Sequence, residues 1–181
     1  MMAIMSAITK RLLALADAEI ELAAGRTLFH TGEPVRNLYV VLEGSVRLVR
    51  HHANGTAVVL QRARTNELLA EASLFASRYH CDAVSEQAAR LARIEKSAIL
   101  QAQREDAQWL GDLAAHLAGE VQKARARAEL LSLRTVQQRL QAWKTLHGEL
   151  PARGRWIEVA QEIGVTPEAL YRELGRLTAR S

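Results

Sequence analysis

Two β-strand patterns meet at one glycine in the stretch Leu38-Tyr39-Val40-Val41-Leu42-Glu43-Gly44-Ser45-Val46-Arg47-Leu48-Val49-Arg50. The first part is rich in apolar and β-branched residues. From Val46 onward apolar and basic residues alternate, which is the two-residue period of a strand. Asn54-Gly55 then supplies a strong signal for a two-residue hairpin. We therefore expect Ala57-Val58-Val59-Leu60-Gln61 to return as the paired antiparallel strand.

Further short strand candidates surround this hairpin, each separated from the next by turn residues. They are Thr27-Leu28-Phe29-His30, Cys81-Asp82-Ala83-Val84-Ser85 and Arg90-Leu91-Ala92-Arg93-Ile94. Many short strands with turns between them predict an antiparallel sandwich or jelly roll. The apolar residues between positions 6 and 18 follow helical spacing, so a short helix is expected before the strands.

The pattern becomes helical after Lys96. From Leu110 onward, apolar residues recur at steps of three and four, close to the heptad seam of a coiled coil. These residues are Leu110, Leu113, Leu117, Val121, Ala124, Ala128 and Leu131. A helix from Asp106 to Leu131 would be about 39 Å long at 1.5 Å per residue. Such a helix would overhang a small sheet, so we expect the stripe to pair two copies of the chain. The alternative is that it packs on the chain's own β domain.

Three more helices are expected, over Thr135–His147, Trp156–Ile163 and Pro167–Leu177. Gly164-Val165-Thr166 separates the last two; its glycine permits the turn and its threonine is a good N-cap. Two helices joined by a short turn that contains glycine predict a DNA-binding helix-turn-helix. The second helix of that motif presents its first residues to base edges. A plain helical hairpin is the alternative.

The charge of the chain is unevenly distributed. The 181 residues carry a net charge of +4, but residues 1–120 sum to −1 and residues 121–181 to +5. A basic C-terminal part favours nucleic acid as the partner. An ordinary solvated surface with an arginine bias is the alternative. The apolar share of 49% is enough to form a folded core.

Several classes of protein are excluded or disfavoured by composition. No apolar run approaches the roughly 20 residues of a membrane span, and residues 1–8 lack the basic leader and cleavage site of a signal peptide. Cys81 is the single cysteine, so an internal disulfide cannot form. Patterns for a Ser/His/Asp triad, a zinc site or a nucleotide P-loop are missing. We therefore expect a cytoplasmic protein that is not an enzyme.

The segments, in this order, resemble the cyclic-AMP receptor protein/fumarate–nitrate regulator (CRP/FNR) family of bacterial transcription factors. The matching stretches are Ala24–Pro34 for the opening strand and glycine turn, Leu38–Leu48 for the Y-x-V-x-x-G-x-V pattern, and Leu69–Phe75 for the F-G-E-x-x-L-F loop. The resemblance implies an effector-sensing jelly roll over residues 1–104, a dimerisation helix over residues 105–132 and a helix-turn-helix over residues 133–181.

The same resemblance implies a set of DNA contacts on the last helix. The predicted interface is Thr166, Pro167, Glu168, Tyr171, Arg172 and Arg176. Glu168 and Arg172 match the family's most frequent base readers, since an arginine can donate two bonds to guanine and a carboxylate can accept one from cytosine. Pro167 stands where some members carry a third base-reading arginine. Glu168 has an alternative role as a helix-capping carboxylate. The sequence stops at Ser181, so we expect a helix-turn-helix without the family's full β wing.

The predicted effector pocket departs from the cyclic-AMP pattern of the family. It comprises Glu71, Ala72, Ser73, Arg78, His80, Cys81 and Asp82. Ala70 replaces a family glycine, and Cys81 and Asp82 stand where an Arg-Ser pair neutralises the cyclic phosphate. An aspartate facing that phosphate would repel it. We therefore expect an effector other than cyclic AMP, although Arg78 lies close enough in sequence for a shifted contact.

Other sensing chemistries are limited by the available ligands. A single cysteine cannot hold an iron–sulfur cluster. A haem or redox sensor at His80 or Cys81 is one hypothesis, and a surface histidine beside a small buried cysteine is the alternative. His51 and His52 are adjacent at the end of a strand and face opposite sides, so we expect no metal site there.

The sequence therefore predicts a homodimeric transcription regulator that binds a pseudo-palindromic site in double-stranded DNA and works with RNA polymerase. Its jelly roll would sense a small molecule or a redox state. A CRP-like regulatory module that has lost DNA binding is the rival interpretation. A cupin-type metalloenzyme is a third, which the histidine spacing disfavours.

Overall fold

A computed structural model describes residues 5–53 and 55–178, with only the backbone described at residue 178. The chain divides into two compact units between residues 118 and 119. The division falls inside a long helix, within the segment predicted to be the dimerisation helix. The two units are described separately below.

The first unit is built on two four-stranded antiparallel sheets. Its strands are β1 (Ala18–Leu22), β2 (Thr27–Phe29), β3 (Asn37–Glu43), β4 (Ser45–His51), β5 (Ala57–Arg64), β6 (Leu68–Leu69), β7 (Asp82–Ser85) and β8 (Ala89–Glu95). The strand order is β1-β8-β3-β6 in one sheet and β2-β7-β4-β5 in the other. Except for the β4–β5 hairpin, neighbouring strands in each sheet are not consecutive in the sequence, as in a jelly roll, so the predicted antiparallel fold is confirmed.

The hairpin predicted from the opening stretch is present between β4 and β5, with Val46 opposite Ala63 and Arg47 opposite Arg62. Asn54 lies outside the described residues, and Gly55 has a φ of +82°. Gly44 joins β3 to β4, also at a φ of +82°. A Cβ at Gly44 would lie 2.3 Å from the carbonyl oxygen of Ala88, so only glycine fits this connection.

Strand β3 explains how the first unit buries two cores. Alternate residues of a strand face opposite sides, and both sides of β3 are covered. Tyr39 and Val41 face the core between the sheets. Leu38 and Val40 face a second core, which is closed by α1 (Ala7–Ala14), α2 (Lys96–Glu105) and the first half of α3 (Ala107–Ser132). This double burial is the physical reason for the unbroken apolar run in the sequence.

An arginine on α1 holds that helix to the start of α3. The Arg11 guanidinium donates from Nη1 to Asp106 Oδ2 and from Nε to Asp112 Oδ2, each at 2.6 Å. These bonds hold the pKa of the Asp106 carboxyl below its usual value. The short N-terminal helix is therefore fixed by charged hydrogen bonds as well as by its apolar face.

The second unit contains the end of α3, α4 (Val136–His147), α5 (Trp156–Glu162) and α6 (Pro167–Thr178). Its apolar core is formed by Leu130, Leu140, Trp143, Val159, Ala160, Ile163 and Leu170. A capping box starts α4, because the Thr135 hydroxyl accepts from the Gln138 N–H and the Gln138 side chain accepts from the Thr135 N–H. The helices predicted in this part of the chain are thus present within about two residues, the usual uncertainty of helix ends.

The structure differs from the sequence prediction at three places. The first helix ends at Ala14, and the following segment forms β1, which pairs along β8. Strand β6 is only two residues long and was not predicted. Asp106 separates α2 from α3. In the described part of the chain, no helix has the length and apolar character needed to cross a membrane.

Candidate nucleic-acid interface and effector pocket

Helix α6 presents one face to its own core and the other to solvent. Leu170 is fully buried, and Leu174 and Leu177 pack against the same core. The opposite face is exposed at helical spacing and consists of Glu168, Tyr171, Arg172, Gly175 and Arg176. Four of the six predicted DNA contacts therefore share this face, beside Gly175, while Thr166 and Pro167 lie at the start of the helix.

The start of α6 is capped as predicted. The Thr166 hydroxyl accepts a hydrogen bond from the Ala169 N–H at 3.3 Å, and Pro167 occupies the first helical position. The Glu168 backbone N–H, and after it the Thr166 hydroxyl, lower the pKa of the Glu168 carboxyl. In the free protein this carboxylate therefore takes hydrogen bonds at the start of α6. That is the helix-capping role given above as the alternative to base reading.

The two arginines of the exposed face differ in their surroundings. Arg172 is exposed, and within the described residues it makes no hydrogen bond or ion pair. Arg176 Nη1 lies 3.8 Å from Glu173 Oε2, in the next turn of the same helix. Among the described residues of α6, Arg172 is therefore an exposed cation that a partner can contact without breaking an ion pair.

Tyr171, on the exposed face of α6, packs its ring against Trp156. The ring of Tyr171 lies 5.7 Å from that of Trp156, and Tyr171 remains 38% exposed. Trp156 donates from Nε1 to the Pro151 carbonyl at 2.9 Å, and Arg153 lies over its ring at 5.8 Å. Tyr171 thus combines ring packing with partial exposure to solvent.

The predicted dimerisation residues have two different environments. Leu110 and Val121 are about half exposed, and Ala124 and Ala128 are exposed. Leu113 is buried and Leu117 is partly buried, both against the first unit's own core. Those two residues therefore pack on the chain's own β domain, which is the alternative to dimerisation given above. The other four form an exposed apolar surface on α3.

Three of the predicted effector residues, Glu71, Ala72 and Ser73, form a short turn of 3-10 helix. Glu71 is buried, and its Oε1 accepts from the side-chain amide of Gln61 at 3.1 Å. Ser73 is buried as well, with Oγ 3.3 Å from Nδ1 of His80. Ala72 and His80 are exposed. Gln61, which holds Glu71, is outside the predicted set, because nothing in the sequence of its strand marks it.

Cys81 is part of the core between the two sheets. Its side chain is 1% exposed, and burial raises the pKa of the thiol to about 11. A thiol with that pKa is protonated at neutral pH and is a poor nucleophile or metal ligand. The environment is that of a small buried apolar residue, as in the alternative to the redox hypothesis.

Asp82 faces the other way, which corrects the expectation that it faces a bound phosphate. Its Oδ1 accepts from the Thr31 N–H at 2.6 Å and from the Thr31 hydroxyl at 2.9 Å. His51 Nε2 lies 3.6 Å from Oδ2. The Thr31 N–H bond is the main cause that lowers the pKa of this carboxyl. In β7 the buried side belongs to Ala83 and Ser85, so the aspartate points outward.

Three aromatic rings pack in the core between the sheets. Phe29 and Tyr79 stack with centroids 3.7 Å apart, and Tyr39 lies 6.0 Å from Phe29. Arg78 is exposed and donates to the Gly32 carbonyl. The residues present therefore do not fit a cyclic phosphate: the family's arginine position holds an apolar, buried Cys81.

Across the described residues, no group of three or more His, Cys, Asp or Glu side chains is arranged to hold a metal ion.

The stretch that matches a known domain family lies within the first unit of the chain. Residues 19–106 match the family of the cyclic nucleotide-binding domain. The strands of the first unit therefore lie almost entirely within the stretch that resembles this domain. No curated protein sequence matches the chain.

The fold of the chain is that of the CRP/FNR regulators, which confirms the resemblance seen in the sequence. FixK2 from Bradyrhizobium japonicum is 20% identical with a TM-score of 0.73, over 90% of this chain and 85% of that one. CLP from Xanthomonas campestris, a global regulator responsive to c-di-GMP, is 21% identical with a TM-score of 0.71, over 96% and 91%. TTHA1359 from Thermus thermophilus, a CRP/FNR-family transcriptional regulator, is 25% identical with a TM-score of 0.65, over 91% and 87%.

Proposed function

We propose that this chain is a sequence-specific DNA-binding transcription regulator of the CRP/FNR type. The observation that carries the proposal is the exposed face of α6, where Arg172 stands free beside Glu168 and Tyr171 on a helix that follows a glycine turn. A helix with these side chains at its N-terminal half fits the major groove. The net charge of +5 in residues 121–181 supplies the attraction to phosphates.

The side chains of this face divide by chemistry. Arg172 reads a guanine through two bonds, and Glu168 leaves its capping position to accept from a cytosine amine. Thr166 and Arg176 contact phosphates, since the first lies at a helix N-terminus and the second lies one turn further along α6. Tyr171 contacts the backbone or a base edge with its hydroxyl.

The active species is a homodimer. Leu110, Val121, Ala124 and Ala128 form an exposed apolar stripe on α3 that a second copy covers. Two α6 helices related by a two-fold axis then read successive major grooves, about 34–36 Å apart, in a pseudo-palindromic site. The regulator acts in the cytoplasm, at promoters used by RNA polymerase.

The first unit responds to an effector other than cyclic AMP. The support is chemical: the position of the family's phosphate-binding arginine holds Cys81, which is buried in an apolar core together with the stacked rings of Phe29 and Tyr79. An effector shifts the regulator only if it binds one arrangement of the dimer better than the other.

The test is selection of binding sites from a pool of random duplexes, followed by affinity measurements on the selected site. Arg172→Ala is expected to cost roughly 1–3 kcal/mol and to relax base preference at one position of each half-site. Arg176→Ala is the matched control on the same helix, and it should weaken binding to all sequences alike. Uniform loss with Arg172→Ala would make that residue a phosphate contact. If no duplex is selected with or without cell extract as a source of effector, the chain is a regulatory module without DNA binding.

A further inference from the structure

Arg139, on the first turn of α4, donates to four backbone carbonyls. Nε bonds the Leu133 oxygen at 2.8 Å and Nη2 bonds the Leu131 oxygen at 3.0 Å. Nη1 bonds the oxygens of Ile163 and Gly164, each at 3.1 Å. The first two carbonyls close α3, and the other two form the turn between α5 and α6.

The chemistry of helix ends explains why these carbonyls take a cation. The last carbonyls of a helix have no partner inside it and carry partial negative charge. A guanidinium supplies several donors in one rigid plane, so a single side chain can serve two helix ends at once. A lysine ammonium has the same charge but one donor atom, and it cannot span both pairs.

The packing at Gly164 is a second, independent sign that the turn before α6 lies close to the end of α3. Gly164 has a φ of +66°, and a Cβ at this position would lie 2.7 Å from Cδ2 of Leu131. The same Cβ would lie 3.4 Å from Nη1 of Arg139. The turn before α6 therefore lies against the Leu131 side chain at the end of α3, which would have to move to admit a Cβ at Gly164.

We infer that Arg139 is a positioning residue that fixes α6 to the C-terminal end of α3. It makes no contact with DNA itself. Because its bonds hold the end of α3 and the turn before α6 together, a rotation of that helix end carries the reading helix with it. The consequence for DNA rests on the proposed function: the orientation of α6 sets which spacing of two half-sites the dimer accepts.

The first experiment measures this orientation without DNA. Nitroxide labels are placed by Glu129→Cys on α3 and Gly175→Cys on α6, in a Cys81→Ala background, and their distance distribution is recorded. The labelled chain is diluted with unlabelled protein so that only distances within one protomer are read. The variants are Arg139→Gln and Arg139→Lys. Arg134→Gln is the matched control, because Arg134 is exposed and lies close to Arg139 in the sequence. Within the described part of the chain it forms no hydrogen bond or ion pair.

The expected result is a narrow distribution for the parent and the control, and a broad or shifted one for both Arg139 variants. Helicity by circular dichroism shows that the variants are folded. If Arg139→Gln does not fold, Arg139→Lys decides, because it keeps the charge and loses only the planar fork. A narrow, unshifted distribution in a folded Arg139 variant overturns the inference.

The second experiment uses DNA and separates this inference from the proposed function. Affinity is measured for one half-site and for two half-sites whose spacing is varied by single base pairs. Arg139→Lys is expected to keep its affinity for one half-site and to lose about fivefold or more in preference for the best spacing, the lower range of coupling between sites. Equal losses on both duplexes would overturn the positioning role. If the parent selects no duplex, the proposed function fails, and the label distances still decide the role of Arg139.

Discussion

Gly164→Ala is the substitution whose cost the structure specifies best. Gly164 has a left-handed φ of +66°, which costs an L-residue roughly 1–2 kcal/mol. The new methyl group would also lie 2.7 Å from Leu131 Cδ2, and crowding of this kind adds about 1 kcal/mol. Alanine restricts the unfolded chain and returns roughly 0.4–1 kcal/mol. The free energy of unfolding of the second unit should therefore fall by about 2 kcal/mol.

The two causes can be separated by a double-mutant cycle with Leu131→Ala. Leu131 is 36% exposed, so its truncation removes the crowding at little cost to the core. In that background Gly164→Ala should cost about 1 kcal/mol, because only the left-handed conformation then opposes it. The assay is hydrogen exchange in a urea series, read on peptides from residues 156–178, so that the second unit is followed separately from the first.

Either of two results would refute this reasoning. An unchanged cost in the Leu131→Ala background would show that the contact between the turn and α3 does not form. A cost below about 0.5 kcal/mol for Gly164→Ala alone, the ordinary range of a neutral surface change, would show that the turn does not need glycine.

Three further predictions test other parts of the chain. Gly175→Ala should raise the free energy of unfolding by roughly 0.5–1 kcal/mol, because the position is helical and a Cβ meets open space; thermal unfolding checks this. Asp82→Asn should destabilise the protein at neutral pH, because bonds from Thr31 lower the folded pKa of the carboxyl. The difference should close as the pH falls through that folded pKa, where the native carboxylate is protonated; urea unfolding over a pH series checks it. Cys81 should react with a thiol reagent only after unfolding, since it is buried with a pKa of about 11; rapid labelling of the folded protein would restore the redox hypothesis.

Strands with clear local signals were predictable, and those without them were not. Strand β3 carries an apolar run and a following glycine, so its existence and ends follow from sequence within about two residues. Strand β1 was missed because Ala18–Leu22 is short, alternates with acidic residues and directly follows a helix pattern. Its partner β8 lies about 70 residues later in the chain, and pairing over that distance leaves no local signal.

The orientation of the predicted pocket residues could not be read from the sequence. The sequence placed Cys81 and Asp82 in the pocket region, and the structure turns one inward and the other outward. Which residue of a strand faces the core depends on register, and a shift of one residue exchanges the two faces. Arg139 was missed for a different reason: its four acceptors are backbone carbonyls, which any sequence supplies.

The turn at Ala70, in the predicted pocket region, is held by local contacts. Ala70 has a φ of +70°, a conformation that L-residues with a Cβ adopt at a cost. The conformation is held by its surroundings, since the Ala70 carbonyl accepts from the Ser73 N–H at 2.9 Å and the methyl group is buried in the core. Glu71 follows directly and is fixed by Gln61. The loop geometry is therefore maintained by its own hydrogen bonds and packing, while the position that would carry a cation holds buried Cys81, so shape and phosphate recognition are separate properties of this fold.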